Sequence, residues 1–523
     1  MLKNTIYNFK AFVLIFILAL GLRITGLTFD SLWLDESYQS LTEAYGEKIP
    51  DLTNLNGGFC LIQHQSPSST QNLLKSFRDV DPLCPPLYAV TLNDWIKIFG
   101  GSDFSVRSLS ILFSLISLII IFIVVLNLFN YPIALMASLV LAISPFDVSY
   151  AQEARMYTLT FGLSILSGGL QLITVKNIIE NKNRLKIFIG LLGFSLATVA
   201  LINTHYTNIL LLAFEILYAF YISYKLKRLD ILFYFFVSGI MILLMFLPWL
   251  NLFLLALKAP HAVFYVARQP SWWWPLYALT VRLPLNFILF LSGKKIILPC
   301  IALYLSSAYI FYYAFRLIFL EYKKDNIDTK QNLINLEYLF LWLVIPSSLL
   351  LVLDIVKNQR LIEISRYSYY IAPSAIILAG YALYKMAQFK PKIYKVIILS
   401  QAVFCLINIS YTHIVYQKEP WREIAHDLNK YNANQYYVFI SQFYNIVCLD
   451  RYLTRPYKQI GLSPAMGQAK IDTIFHKFQP VKFILITAQE GESIKNMLPK
   501  EYSQAFEKNY FHGLHLRVYE KNN

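Results

Sequence analysis

Eleven stretches of this chain are long and apolar enough to leave water altogether: 8–29, 105–129, 131–147, 157–175, 185–203, 206–223, 231–256, 296–319, 335–355, 368–386 and 393–413. A helix needs roughly 17–25 apolar residues to cross a bilayer. Inside lipid each backbone polar group must be satisfied within the structure itself, and for runs of this length the helix does that locally. The pattern predicts a mainly α, polytopic helical membrane protein. Composition agrees, with 57% of 523 residues hydrophobic and 15% charged, against about 25% charged in soluble domains. The first run follows Lys3 and Lys10 and lacks a small-residue cleavage site, so it reads as a retained helix and not a removed leader.

Two further segments set the range at about 11–13 spans. Pro85 to Phe99 is apolar but short and contains Asn93 and Asp94, which suits a helix lying on the membrane surface. Trp272 to Phe290 contains Arg282 and Pro284, and both a surface-lying and a crossing helix fit it. The basic residues fix the expected sidedness. They gather in spacers at Lys176, Lys182, Arg184 and Lys186; at Lys225, Lys227 and Arg228; at Lys323, Lys324 and Lys330; and at Lys385, Lys390, Lys392 and Lys395. All four spacers fall on one side, which should be the cytoplasm. The N-terminus is then cytoplasmic, and everything after about residue 413 is outside. A bacterial inner (plasma) membrane is the expected location.

The formal charge of +15 is accounted for by these spacers. It forms no continuous stripe, so nucleic acid is not an expected partner. None of the five cysteines pairs at metal-ligand spacing. Cys300 and Cys405 lie in apolar runs as small hydrophobes. Cys60 and Cys84 share the first outer loop, where a disulfide and two thiols both remain open readings.

Composition changes after Tyr416. Pro420-Trp421-Arg422-Glu423 opens an amphipathic helix with Ile424, Ala425 and Leu428 on one face, and Tyr436–Ile440, Lys482–Ile486 and Leu514–Tyr519 read as strands. The expected organisation is a membrane module over 1–416, with an outer loop at 30–104, and a small extracytoplasmic α/β domain over 417–523. That domain has no nucleotide-binding glycine pattern, and acceptor docking or packing is its expected role.

Chemistry-bearing residues cluster where helices meet the outer face. Trp33-Leu34-Asp35-Glu36-Ser37-Tyr38 holds two acids among apolar groups. Acids in such a setting are poised to have shifted proton affinity and to act as a base. Asp35 is favoured over Glu36 for that role, although paired acids after a membrane helix also occur as simple solvated residues. Ser144-Pro145-Phe146-Asp147 and Gln152-Glu153-Ala154-Arg155-Met156-Tyr157 form a second acidic stretch. Pro145 should break the preceding helix, with the next beginning near Glu153. Glu153 also fits ordinary pairing with a helix start, and Arg155 a local ion pair. Held near lipid, Asp147 and Glu153 are candidate ligands for a divalent cation, or the acid and arginine together a phosphate site. His205 and Tyr206 lie at a third outer helix end, where a structural histidine is the plain alternative. Arg107, Lys258, His261, Arg268 and Arg366 also fall at outer ends, as candidates to neutralise an anionic leaving group.

Taken together, the long Asp-Glu outer loop, Pro85-Pro86-Leu87-Tyr88, Arg107-Ser108-Leu109, the Gln152 to Tyr157 run and Arg366-Tyr367 before a late helix resemble the GT-C superfamily of membrane glycosyltransferases. The resemblance is to the family 39-like branch, relatives of protein O-mannosyltransferases and of the lipid A aminoarabinose transferase. It implies a polyprenyl-phosphate-linked sugar donor, an acceptor hydroxyl and inversion at the anomeric carbon. It also implies Asp35 as the loop-one catalytic acid, Glu153 or Asp147 as the loop-two acid and Arg366 as a late helix-end basic residue. Where many relatives carry His before the Pro-Pro-Leu-Tyr segment, this chain has Cys84, which puts metal dependence in question. A transporter or lipid-sugar flippase is the rival class. Transporters are often built from internal repeats with broken helices at mid-membrane. This chain shows no convincing repeat, and its acids lie at the interface.

Overall fold

The computed structural model describes residues 2–46, 68–79, 84–258, 272–293, 298–322, 327–415, 418–442 and 445–522. The chain forms two compact units. One comprises Met1–Thr25, Pro82–Tyr88 and Arg107–Tyr411; the other comprises Gly26–Asp81, Ala89–Val106 and Thr412–Asn523.

The long helices follow the apolar runs: α1 (Leu2–Ile24), α2 (Pro86–Phe99), α3 (Asp103–Leu128), α4 (Tyr131–Ile143), α5 (Pro145–Ala151), α6 (Tyr157–Ile179), α7 (Arg184–Ile202), α8 (Ile209–Leu226) and α9 (Leu229–Lys258). After them come α10 (Leu283–Ser292), α11 (Ile301–Tyr322), α12 (Ile327–Lys357), α13 (Ala372–Phe389) and α14 (Pro391–Val415). Among the described residues nine helices are long and apolar enough to cross a membrane, or ten if the bent pair α4–α5 is one span.

One expected boundary moves. The helix broken by Pro145 does not resume near Glu153. A separate short helix, α5, intervenes at an angle of 59° to α4, and α6 starts at Tyr157. Ser144 explains the break, because its Oγ accepts the Asp147 N–H at 3.4 Å and donates to the Phe290 carbonyl at 2.9 Å. A serine cap followed by proline in the first turn is a strong helix start. The run around Arg282 is a helix that begins at Trp274, with α10 as its last part. Trp274 Nε1 donates to Glu363, Arg282 to the Glu363 carbonyl and Asn286 to the Ile362 carbonyl. These bonds hold it against the segment that follows α12.

Hydroxyls and amides join the membrane helices laterally. Ser167 of α6 donates to Glu215 of α8 at 2.7 Å, and Tyr338 of α12 donates to Gln171 of α6 at 2.9 Å. Between apolar helices, such bonds and close backbone approach supply what the hydrophobic effect supplies in water. Backbone meets backbone at Gly380 of α13, where an added Cβ would lie 2.6 Å from the Ala137 nitrogen of α4. Backbone cannot yield there, so Gly380→Ala should force the helices apart. A loss of about 1–3 kcal/mol is expected, read as a lower unfolding temperature in detergent; an unchanged midpoint would contradict this packing.

In the second unit the terminal residues form a five-stranded sheet of order β2-β1-β3-β5-β4. The strands are β1 (Tyr436–Ser441), β2 (Lys458–Leu462), β3 (Lys482–Thr487), β4 (Tyr502–Tyr510) and β5 (Leu514–Lys521). Strands β2, β1 and β3 are parallel, and β5 runs antiparallel to β3 and β4. Strand alternation sends Val438, Ile440, Ile484 and Ile486 to a core with α15 (Trp421–Leu428), and Phe439, Phe483 and Leu485 to a core with Phe475 of α17 (Gln468–Phe478). The helix α16 (Asn445–Asp450) joins the first of these cores. Both faces are covered, as parallel strands require. Sequence reading missed β2, where Gly461 and Gln459 break the strand pattern, and β4, an edge strand whose middle is exposed. In this domain Arg517 is buried and ion-paired to Glu492 and Glu507. Partial burial would raise the Glu492 carboxyl, but hydrogen bonds from Arg517, Thr487 and Lys495 bring it down to about 2.

Candidate active site

The acidic turn belongs to the second unit. Asp35 opens a π-helical turn, Asp35–Leu41, a distortion frequent at functional sites. The two acids have different surroundings. Glu36 is fully buried; its Oε2 accepts the Trp33 N–H at 3.3 Å and pairs with Lys418 Nζ at 3.1 Å. Asp35 remains partly exposed. Glu419 accepts the Leu34 N–H at 3.3 Å and the Trp421 Nε1–H at 2.8 Å. Burial holds the Glu419 carboxyl above the usual carboxylate range, and Asp35 adds to this. Burial likewise raises the Cys448 thiol, which hydrogen-bonds Ser37. The segment leading into the turn is held by its backbone. Tyr452 Oη accepts the Leu32 N–H at 2.8 Å, and the Arg422 N–H donates to Ser31 Oγ at 3.0 Å. Arg422 and Arg451 both pair with Asp103. Lys418, Glu419 and Tyr452 were invisible to sequence reading, since none lies in an interface motif.

The basic cluster belongs to the first unit. Glu153 and Arg155 are buried in the loop between α5 and α6. The Arg155 guanidinium lies 5.7 Å from the Tyr157 ring centre, and its carbonyl accepts from Ser110 Oγ at 3.1 Å. Arg366 lies over Tyr367, whose ring centre is 5.4 Å from that of His205. Tyr150 lies within electrostatic reach of both Glu153 and Arg366 and hydrogen-bonds Ser365. Four residues expected from sequence, Glu153, Arg155, His205 and Arg366, are thus brought together. Tyr206 instead packs edge-on against Phe253 of α9, and Arg107 is buried near the start of α3. Arg268 and His261 lie outside the described residues, as does Cys60, on which the open disulfide reading turns.

His205 is a neutral member of this cluster. Its Nδ1 accepts the Thr207 N–H at 3.3 Å, which leaves the proton on Nε2. Burial, then Arg155 and Arg366, lower its proton affinity from 6.5 to about 3. The unfolded chain takes up a proton near 6.5 and the folded one does not. Stability from this group is therefore full above that pH and drains away as pH falls toward 3. Near pH 5.5 wild type should lose roughly 1 kcal/mol that His205→Gln does not lose. Parallel unfolding temperatures of the two proteins between pH 7.5 and 5.5 would refute this.

Asp147 has different company from the expected cation. Its Oδ2 accepts from Arg23 at 2.6 Å and from Ser114 Oγ at 2.6 Å, and its Oδ1 accepts from Tyr369. Arg23 also donates to the Ala19, Leu141 and Ala142 carbonyls. Asp147 thus already has a guanidinium as its charge partner. Among the described residues, no three His, Cys, Asp or Glu side chains converge as a metal site. The donor set around Asp147 and Glu153 does not fit a divalent cation, and nothing below is routed through one. The neighbouring Gln152 has a structural task, its Nε2 donating to the Arg23 and Thr25 carbonyls that end α1, at 3.1 and 2.8 Å.

Residues 84–252 match the family of dolichyl-phosphate-mannose-protein mannosyltransferases. That range carries Arg107, Asp147, Glu153, Arg155 and His205 and stops short of Asp35 and Arg366. Among solved structures, the chain is similar to ArnT from Cupriavidus metallidurans in the apo state, with 11% identity, a TM-score of 0.59 and 97% of each chain covered. The same enzyme bound to undecaprenyl phosphate matches with a TM-score of 0.55 at 11% identity, again over 97% of each chain. The archaeal oligosaccharyltransferase AglB from Archaeoglobus fulgidus, in complex with an inhibitory peptide and a dolichol-phosphate, matches with a TM-score of 0.53 at 11% identity, over 98% of this chain and 74% of that one. No curated protein sequence matches this chain.

Proposed function

From an ArnT-like, GT-C membrane fold, we propose that this chain is an inverting glycosyltransferase that moves a sugar from a polyprenyl-phosphate donor to an acceptor hydroxyl. The observation that carries the reading is the division of labour in the acidic turn. Glu36 is buried and neutralised by Lys418, while its neighbour Asp35 stays accessible. The donor class is supported by ArnT binding undecaprenyl phosphate and AglB a dolichol-phosphate.

In this reading the Asp35 carboxylate takes the proton of the acceptor hydroxyl. The acceptor oxygen forms its bond to the anomeric carbon as the bond from that carbon to the phosphate oxygen breaks. The electron pair leaves with the phosphate, giving a polyprenyl phosphate and an inverted glycoside. Arg107, Arg155, Arg268 and Arg366 are the candidates to stabilise the departing phosphate. The cation cluster also explains why His205 is neutral. Glu153 is the acidic member of the same cluster, within reach of Tyr150. The basic spacers support a cytoplasmic N-terminus and an extracytoplasmic terminal domain in a bacterial plasma membrane.

The test is consumption of labelled polyprenyl-phosphate sugars by the purified protein in lipid, with extracted acceptors, with and without chelator. Turnover by the wild type supports the reading, and the chelator arm decides metal dependence. No turnover across a broad donor panel would sink it in favour of a transporter.

A further inference from the structure

The residues that enter the terminal domain bind the acidic turn more closely than docking or packing requires. Lys418 and Glu419 come soon after α14 in the chain, and both side chains engage the turn around Asp35. Lys418 Nζ is 3.1 Å from Glu36 Oε2 and 6.0 Å from the centre of the Trp33 ring. Glu419 accepts the Leu34 N–H at 3.3 Å, from the residue immediately before Asp35. The Glu36 and Ser37 N–H groups both donate to the Trp33 carbonyl at 3.0 Å, so the turn is pinned from within and from the terminal domain together. Glu36 is fully buried, and a buried carboxylate without a cation is costly enough to rearrange its surroundings.

We infer that Lys418 and Glu419 are positioning residues for Asp35, so that the terminal domain is part of the catalytic apparatus. Lys418 keeps Glu36 buried and compensated, and Glu419 holds the Leu34 amide; between them they set where Asp35 points. Lys418 acts on Asp35 through Glu36. The inference rests on Asp35 being the base of the transfer proposed above.

The experiment is steady-state transfer from a labelled polyprenyl-phosphate sugar by full-length protein in lipid, comparing wild type, Asp35→Asn, Lys418→Met, Lys418→Arg, Glu36→Gln and the Glu36→Gln/Lys418→Met double variant. Each is checked for an intact unfolding transition. Lys418→Met should lower kcat roughly 10- to 100-fold, as misplacement of a catalytic group does, with donor KM little changed. Lys418→Arg should restore most of the loss. In the Glu36→Gln background, removing Lys418 should cost no more than about threefold further, because the charge it compensates is gone. Wild-type kcat in Lys418→Met, or an equal loss with and without Glu36, would overturn the positioning role while leaving the transferase reading intact. If neither wild type nor Asp35→Asn shows turnover, or both turn over equally, the assignment of Asp35 fails and this inference falls with it.

Discussion

Asp35→Asn should fold, insert and bind as the wild type does, yet lose transfer by about 10²–10⁴-fold, the usual weight of a positioned general base. The substitution keeps the shape and removes only the capacity to accept a proton. Asp35 is partly exposed, so its loss leaves no stranded charge in a core. The measurement is the rate of donor consumption at saturating donor, alongside the unfolding temperature. Retained turnover in Asp35→Asn would remove the base from this residue. Glu36→Gln gives the contrast: it disturbs a buried ion pair, so it should lower stability as well as rate. If the two variants behaved alike in both measurements, the division of labour within the turn would be wrong.

Arg23→Met is expected to have the largest effect on stability. Arg23 and Asp147 are both buried, at 0% and 1% exposure, and the guanidinium satisfies three backbone carbonyls besides the carboxylate. Removing one partner of such a pair costs about 3–5 kcal/mol, because the remaining charge stays in a poorly polarisable interior. The Leu141 and Ala142 carbonyls, near the free end of α4, would lose their donor at the same time. Removing both charges, in Arg23→Met/Asp147→Asn, should recover part of the loss. The check is the thermal midpoint in detergent for the two singles and the double. A single variant as stable as wild type, or strictly additive losses, would show that the pair is not coupled. The same experiment bears on metal binding: if Asp147 were a cation ligand, Arg23→Met would relieve repulsion and raise metal affinity.

Sequence reading located the acidic turn and four members of the basic cluster, because each falls where an apolar run ends. It offered Asp147, with Glu153, as a candidate ligand for a divalent cation, from an acid near lipid. The partner the structure gives Asp147 is the guanidinium of Arg23, placed in the last turn of α1 with no local feature to mark it. In the terminal domain the strands with clear alternation were found. The two edge strands were not, since an edge strand packs on one neighbour and its sequence need not alternate cleanly.

The helices themselves were determined by the sequence alone. A run of twenty apolar residues has one way to satisfy its backbone in lipid, and that choice is made within the segment. The basic spacers set an expected orientation by an equally local rule. What only the tertiary structure decided was which charges meet. Arg23 reaches Asp147 across 124 residues and Lys418 reaches Glu36 across 382. No periodicity records such pairs. They form because burial makes an isolated charge more costly than any partner the fold can bring to it.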